Sequence, residues 1–263
     1  MAVLAHPDDE SLGLGGALAH YADTGVETYL VTATRGERGR YFDALRGDPG
    51  RPADEEVARA REAELRAATA VLGVRDVALL DYRDGELDAV DTTEAVAKIV
   101  AHMRRVRPDV VVTFGPEGAY GHPDHIAISQ LACSAFAAAA DASFGEGEPH
   151  RASKLYYFGW PAQLWELYQS VFKKLVSVVD GVERQANPWP EWALTTYVNA
   201  RPHWETVWRA VQCHETQMAV YGKLDGLAPS QHELLWGEQY FYRVASLVNG
   251  GRAQERDLFE GLR

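Results

Sequence analysis

Cysteine is scarce in this chain, with only Cys133 and Cys213 among 263 residues. Each sits in an Ala- or aromatic-rich stretch and neither has a CxxC partner, which argues against a disulfide framework or a cysteine metal site. Structural thiols in a reducing compartment are expected. Long apolar runs are missing as well. None approaches the roughly 18 residues of a membrane span, and no basic segment leads into an apolar one at the N-terminus. A cytoplasmic protein without a membrane span is the expectation. Positive charge is in deficit, 26 Lys and Arg against 38 Asp and Glu, for a net charge of −12. A nucleic-acid surface would need clustered basic residues, so that partner is excluded. The charge names no substrate.

What is present is ordinary globular material, 46% hydrophobic and 24% charged. A chain of this length buries roughly 70–75% of its unfolded surface and needs no covalent staple. Residues 2–5 are the tail of a first strand, 15–24 have helical spacing closed by Gly25, and 27–34 is a second strand. A Gly-, Arg- and Asp-rich loop fills 35–52, a helix 53–72 and a short strand 77–80. A helix over 92–106 leads to a fourth strand expected to be wholly buried, 109–114. A helix then runs from Pro123 to about Ala140, and 154–159 is a fifth strand. Strands that alternate with helices and carry continuous apolar runs predict an α/β fold, a mostly parallel sheet covered by helices on both faces. Beyond 159 the pattern loosens. Strand candidates there are 175–179 and 195–198, and Pro202 opens a helix to about Gln217. With no repeat and no low-complexity linker, a single domain over 1–263 is expected, a core to 159 and a C-terminal elaboration over 160–263.

Two clusters carry the chemistry. His6-Pro-Asp-Asp-Glu10 follows the first strand, and Gly121-His-Pro-Asp-His125 follows the fourth. In doubly wound sheets ligands bind beyond the carboxyl ends of strands where the strand order reverses, and the first and fourth strands are neighbours at that reversal. A hydrolytic zinc wants three protein ligands, commonly two histidines and a carboxylate, with one position left open. It also wants a separate carboxylate as general base. His6 and Asp9 as ligands with Asp8 as base fit this logic, although spacing alone leaves the reverse assignment open. A lone HPD after a strand would more often cap the next helix, and Asp124 is expected to be a cap or to brace a ligand. Two matched clusters at neighbouring strand ends make the metal the stronger reading.

With those residues in hand the sequence resembles the PIG-L/LmbE-like deacetylase family, specifically in Ala5-His-Pro-Asp-Asp-Glu10 and Gly121-His-Pro-Asp-His125 and more loosely from residue 1 to about 217. The resemblance implies a Rossmann-like fold and a divalent metal, usually zinc, with other divalent metals admissible in such a donor set. It also implies hydrolysis of an N-acetyl group from an N-acetylglucosamine-containing conjugate, and homo-oligomers among the relatives. By position it implies His6, Asp9 and His125 as metal ligands and Asp8 as general base. His122 would stabilise the oxyanion or protonate the leaving amine, and Tyr120 would help bind the tetrahedral intermediate. More weakly, Arg61, Asp84 and His214 resemble substrate-binding or pocket-lining positions. By themselves those three read equally well as a surface ion pair, a turn residue and a packing histidine. Glu37 would join the site or pair with an arginine, and the tryptophans after Gly159 read as core.

Three other functions compete. Some relatives are thiol-conjugate amidases using the same metal chemistry. A non-catalytic metal-binding protein should have lost the base, yet Asp8, Asp9 and His122 are all present. A nucleotide-binding domain would want GxGxxG, and Gly13-Leu-Gly15-Gly16 lacks that spacing. Those glycines are expected to bring a helix close to the sheet and to leave room at the metal.

Overall fold

Short, mostly apolar stretches form the centre of the molecule, and the histidine and aspartate clusters begin where two of those stretches end. The computed structural model describes residues 1–171, 176–179, 181–251 and 253–263. In chain order come β1 (Ala2–Leu4), α1 (Asp9–Asp23), β2 (Tyr29–Thr34), α2 (Asp54–Val71) and β3 (Asp76–Tyr82). Next are α3 (Thr92–Val106), β4 (Val110–Phe114), the one-turn α4 (Gly118–Gly121), α5 (Pro123–Ala138) and β5 (Lys154–Phe158). The remainder holds α6 (Ala162–Val171), the paired β6 (Ser177–Val179) and β7 (Val182–Arg184), and β8 (Thr196–Asn199). It ends with α7 (Trp204–Gln212), the one-turn α8 (Met218–Tyr221), α9 (Pro229–Trp236) and β9 (Glu238–Ser246).

The main sheet has the order β3-β2-β1-β4-β5-β9-β8. It is parallel from β3 to β5, and β9 and β8 add to it antiparallel. β1 and β4 are therefore neighbours, as the reversal of strand order requires. Both are buried at every position, which is why they carry no polar alternation. α1, α2 and α7 pack together, as do α3 and α5, and together they cover the sheet. The α/β class and mostly parallel sheet expected from the sequence are what the structure has.

Four details differ. α1 starts at Asp9 instead of Gly15, because the acidic pair Asp9-Glu10 forms its first turn, where negative charge suits the helix dipole. The helix expected from Pro202 to Gln217 is broken. A 3-10 turn precedes α7, and His214 leaves helical geometry (φ −83°, ψ 58°) before a second 3-10 turn. β9, the longest strand at nine residues, had no sequence expectation. The stretch 175–179 contains β6, and Leu175 lies outside the described residues. The glycines of α1 do bring surfaces close. A Cβ on Gly15 would meet Val207 of α7 at 2.8 Å, and one on Gly16 would meet the Trp236 carbonyl at 2.5 Å.

Candidate active site

The carboxyl ends of β1 and β4 bring the two clusters into one place. His6 Nδ1 is 3.1 Å from His125 Nε2, and His125 Nε2 is 3.3 Å from Asp9 Oδ1. Asp9 Oδ2 accepts the backbone N–H of His6 at 2.8 Å and of Ala5 at 3.2 Å and lies 3.6 Å from His6 Nδ1, while Oδ1 is the oxygen turned to His125. The far nitrogen of His6, Nε2, lies 3.1 Å from Asp124 Oδ2 and 3.2 Å from Asp84 Oδ1. Asp124 is itself fixed by the N–H groups of Gly85 and Leu87. A carboxylate behind a ligating histidine is the usual way to fix ring orientation and tautomer. His6 thus has one nitrogen braced and the other facing the cluster.

The residues present fit a metal ion. Two ligand atoms on a tetrahedral ion with bonds of about 2.0–2.1 Å sit roughly 3.4 Å apart, close to the 3.1 and 3.3 Å seen here. Burial alone would raise the Asp9 carboxyl, but His125 and His6 outweigh it and hold it well below the usual range. The groupings of three whose donor atoms lie mutually within 4.8 Å among the described residues are His6, His122 and His125, and His6, Asp84 and Asp124, and Asp9 reaches the first through its contact with His125. The second uses the nitrogen of His6 that the carboxylates already brace.

Asp8 caps α1 from a left-handed backbone (φ 95°, ψ −26°), and its side chain makes no capping bond. Arg61 Nη2 donates to Asp8 Oδ2 at 2.9 Å and the Tyr221 hydroxyl donates to the same oxygen at 2.6 Å. Oδ1 carries no hydrogen bond among the described residues. Burial pushes the Asp8 carboxyl up, with the Asp9 charge adding to it against the pull of Arg61.

His122 caps α5, and its Nδ1 accepts the Asp124 N–H at 3.2 Å. In the neutral ring this leaves the proton on Nε2. Burial, then His6 and His125, lower His122 to about 3, so the neutral ring is the form favoured here. Its ring stacks on His125 at 4.7 Å. Tyr120 stands edge-on to His125 at 5.3 Å, on a turn where Ala119 is held at φ 62°, ψ −71°. That is the strained conformation of a γ-turn, uncommon for a residue with a side chain.

These groups border a cavity of about 540 Å³, lined by His6, Asp8, Asp9, His122 and His125, with Tyr120, Arg61 and Asp84. Leu12, Phe114, Phe158 and Trp160 form an apolar wall, and Arg38, Gly85 and Gln217 give polar positions. Eight of the nine residues singled out from sequence therefore meet at one cavity. His214 does not line it. It is fully buried, with Nε2 2.8 Å from Glu10 Oε1, and this corrects the expectation that it contacts substrate. Arg61 borders the cavity, yet its guanidinium is spent on the Gly36 and Pro7 carbonyls and on Asp8. Asp84 likewise holds His6 with one oxygen and the Arg38 N–H with the other. Glu37 accepts the Asp84 N–H and so sits behind the site. Of the tryptophans after Gly159, Trp160 lines the cavity, Trp165 is core and Trp192 is exposed. Tyr221 and Gln217 had no expectation. Only the proximity of Gln217 to His214 in His214-Glu-Thr-Gln217 hinted at the latter.

Comparison with known proteins adds the following. The family pattern described as PIG-L: GlcNAc-PI de-N-acetylase matches residues 1–136. The 1D-myo-inositol 2-acetamido-2-deoxy-alpha-D-glucopyranoside deacetylase of Thermobispora bispora is 32% identical over 300 residues, covering 99% of this chain and 97% of that protein. A conserved protein of Thermus thermophilus, known as a crystal structure, superposes with TM-score 0.67 at 25% identity, covering 95% of each chain. The 4-carboxy-2-hydroxymuconate hydratase of Pseudomonas putida superposes with TM-score 0.70 at 21% identity, covering 96% of this chain and 98% of that one. A hydratase on the same fold means that the activity has to be argued from the site.

Proposed function

The chain belongs to the PIG-L: GlcNAc-PI de-N-acetylase family, and from that premise we propose that it is a zinc-dependent hydrolase removing the N-acetyl group from an N-acetylglucosamine-containing conjugate. The observation that carries the proposal is that His6 Nδ1 and Asp9 Oδ1 both approach His125 Nε2, at 3.1 and 3.3 Å, in the lining of the cavity that Asp8 also borders. His6, Asp9 and His125 would hold the ion, which when bound polarises the amide carbonyl and eases loss of a proton from water.

The remaining work falls to the side chains. Arg61 and Tyr221 occupy Asp8 Oδ2, so Oδ1 is the oxygen left to take a proton from water. Its raised affinity for protons suits that task. His122, with its proton on Nε2, presents a donor to a carbonyl oxygen as negative charge grows there. Tyr120, edge-on to both His122 and His125, offers a second donor beside it. Leu12, Phe114 and Phe158 offer the acetyl methyl an apolar wall, and Arg38 and Gly85 offer polar positions to the sugar hydroxyls, with Asp84 bracing His6 behind them. The thiol-conjugate amidase reading has no observation in its favour.

The test is metal analysis together with acetate release from N-acetylglucosaminyl conjugates by wild type, Asp8→Ala and His125→Ala. Asp8→Ala is expected to keep its metal and lose turnover by at least a hundredfold, the scale of a positioned general base. His125→Ala is expected to lose both. Retention of turnover by His125→Ala would overturn the assignment.

A further inference from the structure

The conformation of Asp8 has a cause outside the cavity. An aspartate at a helix N-cap normally lies in extended backbone and turns its carboxylate back onto the N–H groups of the first turn. Asp8 does neither. Its φ of 95° is costly for a residue with a side chain, and its carboxylate points to Arg61 and Tyr221. While Arg61 and Tyr221 engage the carboxylate, the backbone N–H of Asp8 is engaged by Glu10, whose Oε2 accepts it at 2.9 Å. Glu10 Oε1 in turn accepts the Ser11 hydroxyl at 2.6 Å and lies 2.8 Å from His214 Nε2. Glu10 and His214 are both 0% exposed. A carboxylate so deeply buried is tolerable only with a full set of donors, and the histidine, 204 residues away in sequence, completes it.

We infer that Glu10 and His214 form a positioning pair that holds Asp8 out of its ordinary capping geometry, so that its carboxylate faces the cavity. Neither touches the cavity, so both act through Asp8. The inference rests on the proposed role of Asp8 as base. Without the Glu10 acceptor, Asp8 relaxes into the extended N-cap conformation, caps α1 with its own side chain, and withdraws from the site.

The test is a double-mutant cycle on Glu10 and Asp8, read as kcat, KM, metal content and thermal unfolding. Glu10→Ala is expected to lower kcat tenfold to a hundredfold, the scale of a displaced reacting group, with KM within about twofold. Metal content stays at the wild-type level. Glu10→Gln, whose amide oxygen can still accept the Asp8 N–H, restores most of the loss. In an Asp8→Ala background Glu10→Ala has no further effect, because its only route to the reaction is gone. If it lowers that residual rate by the same factor, or if the loss follows metal content, the pair is merely structural and the inference falls. If Asp8→Ala itself leaves turnover intact, the base assignment fails, which is a separate result. Should Glu10→Ala not fold, His214→Asn carries the same cycle with Glu10 in place.

Discussion

Arg61 shows how closely one side chain can tie the site to its frame. Its guanidinium bridges the Gly36 and Pro7 carbonyls to Asp8 Oδ2 while only 4% of the residue is exposed. Removing it takes a charged donor from two carbonyls and a carboxylate, of which, among the described residues, Gly36 keeps only the Gly39 N–H and Asp8 only the Tyr221 hydroxyl. Arg61→Leu should therefore destabilise the fold by roughly 3 kcal/mol, measured by urea unfolding, besides lowering turnover. A loss below about 1 kcal/mol would mean that water replaces the guanidinium. The residues of the metal cluster were legible because each motif is local and strand topology joins them. The bonds around Asp8 were not, because Arg61, His214 and Tyr221 lie 53, 204 and 213 positions from the groups they bond. The type of such a residue shows that it can donate a hydrogen bond. Only the fold shows to what.

At the scale of elements, the antiparallel pair β9 and β8 is tied to β5 by a buried ionic cluster. Lys154 on β5 is wholly buried, and its Nζ donates to Glu255 Oε1 at 2.7 Å. Tyr156, Thr196 and Asn249 also donate to Glu255, and Arg243 lies 2.8 Å from it. Burial would raise this carboxyl, but those partners outweigh it and hold it at about 2. A depressed folded-state pKa means that the carboxylate stabilises the fold above its unfolded value, about 4.3. That contribution is lost as pH falls from there toward 2. Wild type should thus exceed Glu255→Gln in stability at pH 7, with the gap narrowing steadily as pH falls from about 4.3 toward 2 in urea titrations. A gap independent of pH would contradict the ionic account. β9 escaped sequence reading because its residues are mostly half-buried, so neither a continuous apolar run nor a clean alternation marks it. α1 is bounded by close packing in the same sense. Gly16→Ala, whose Cβ would meet the Trp236 carbonyl, should cost about 1–3 kcal/mol as a lowered melting temperature.

For the whole molecule, the parallel half of the sheet supplies the site and the C-terminal part supplies its second wall. β1 and β4 deliver the metal cluster, and the segment from His214 to Tyr221 closes on Asp8 from the other side. Among the described residues no helix is long and apolar enough to cross a membrane. The α/β class and the meeting of the two clusters could be argued from strand patterns alone, whereas the course of the chain after Gly159 could not, because it adds antiparallel strands and short helices without a repeating rule. Turnover is proposed to depend on a single ion held by His6, Asp9 and His125. The direct measurement is acetate release by metal-stripped wild-type protein titrated with zinc. No turnover without metal, and recovery that breaks at one equivalent per chain, is the predicted result. Full turnover in the stripped protein would contradict it.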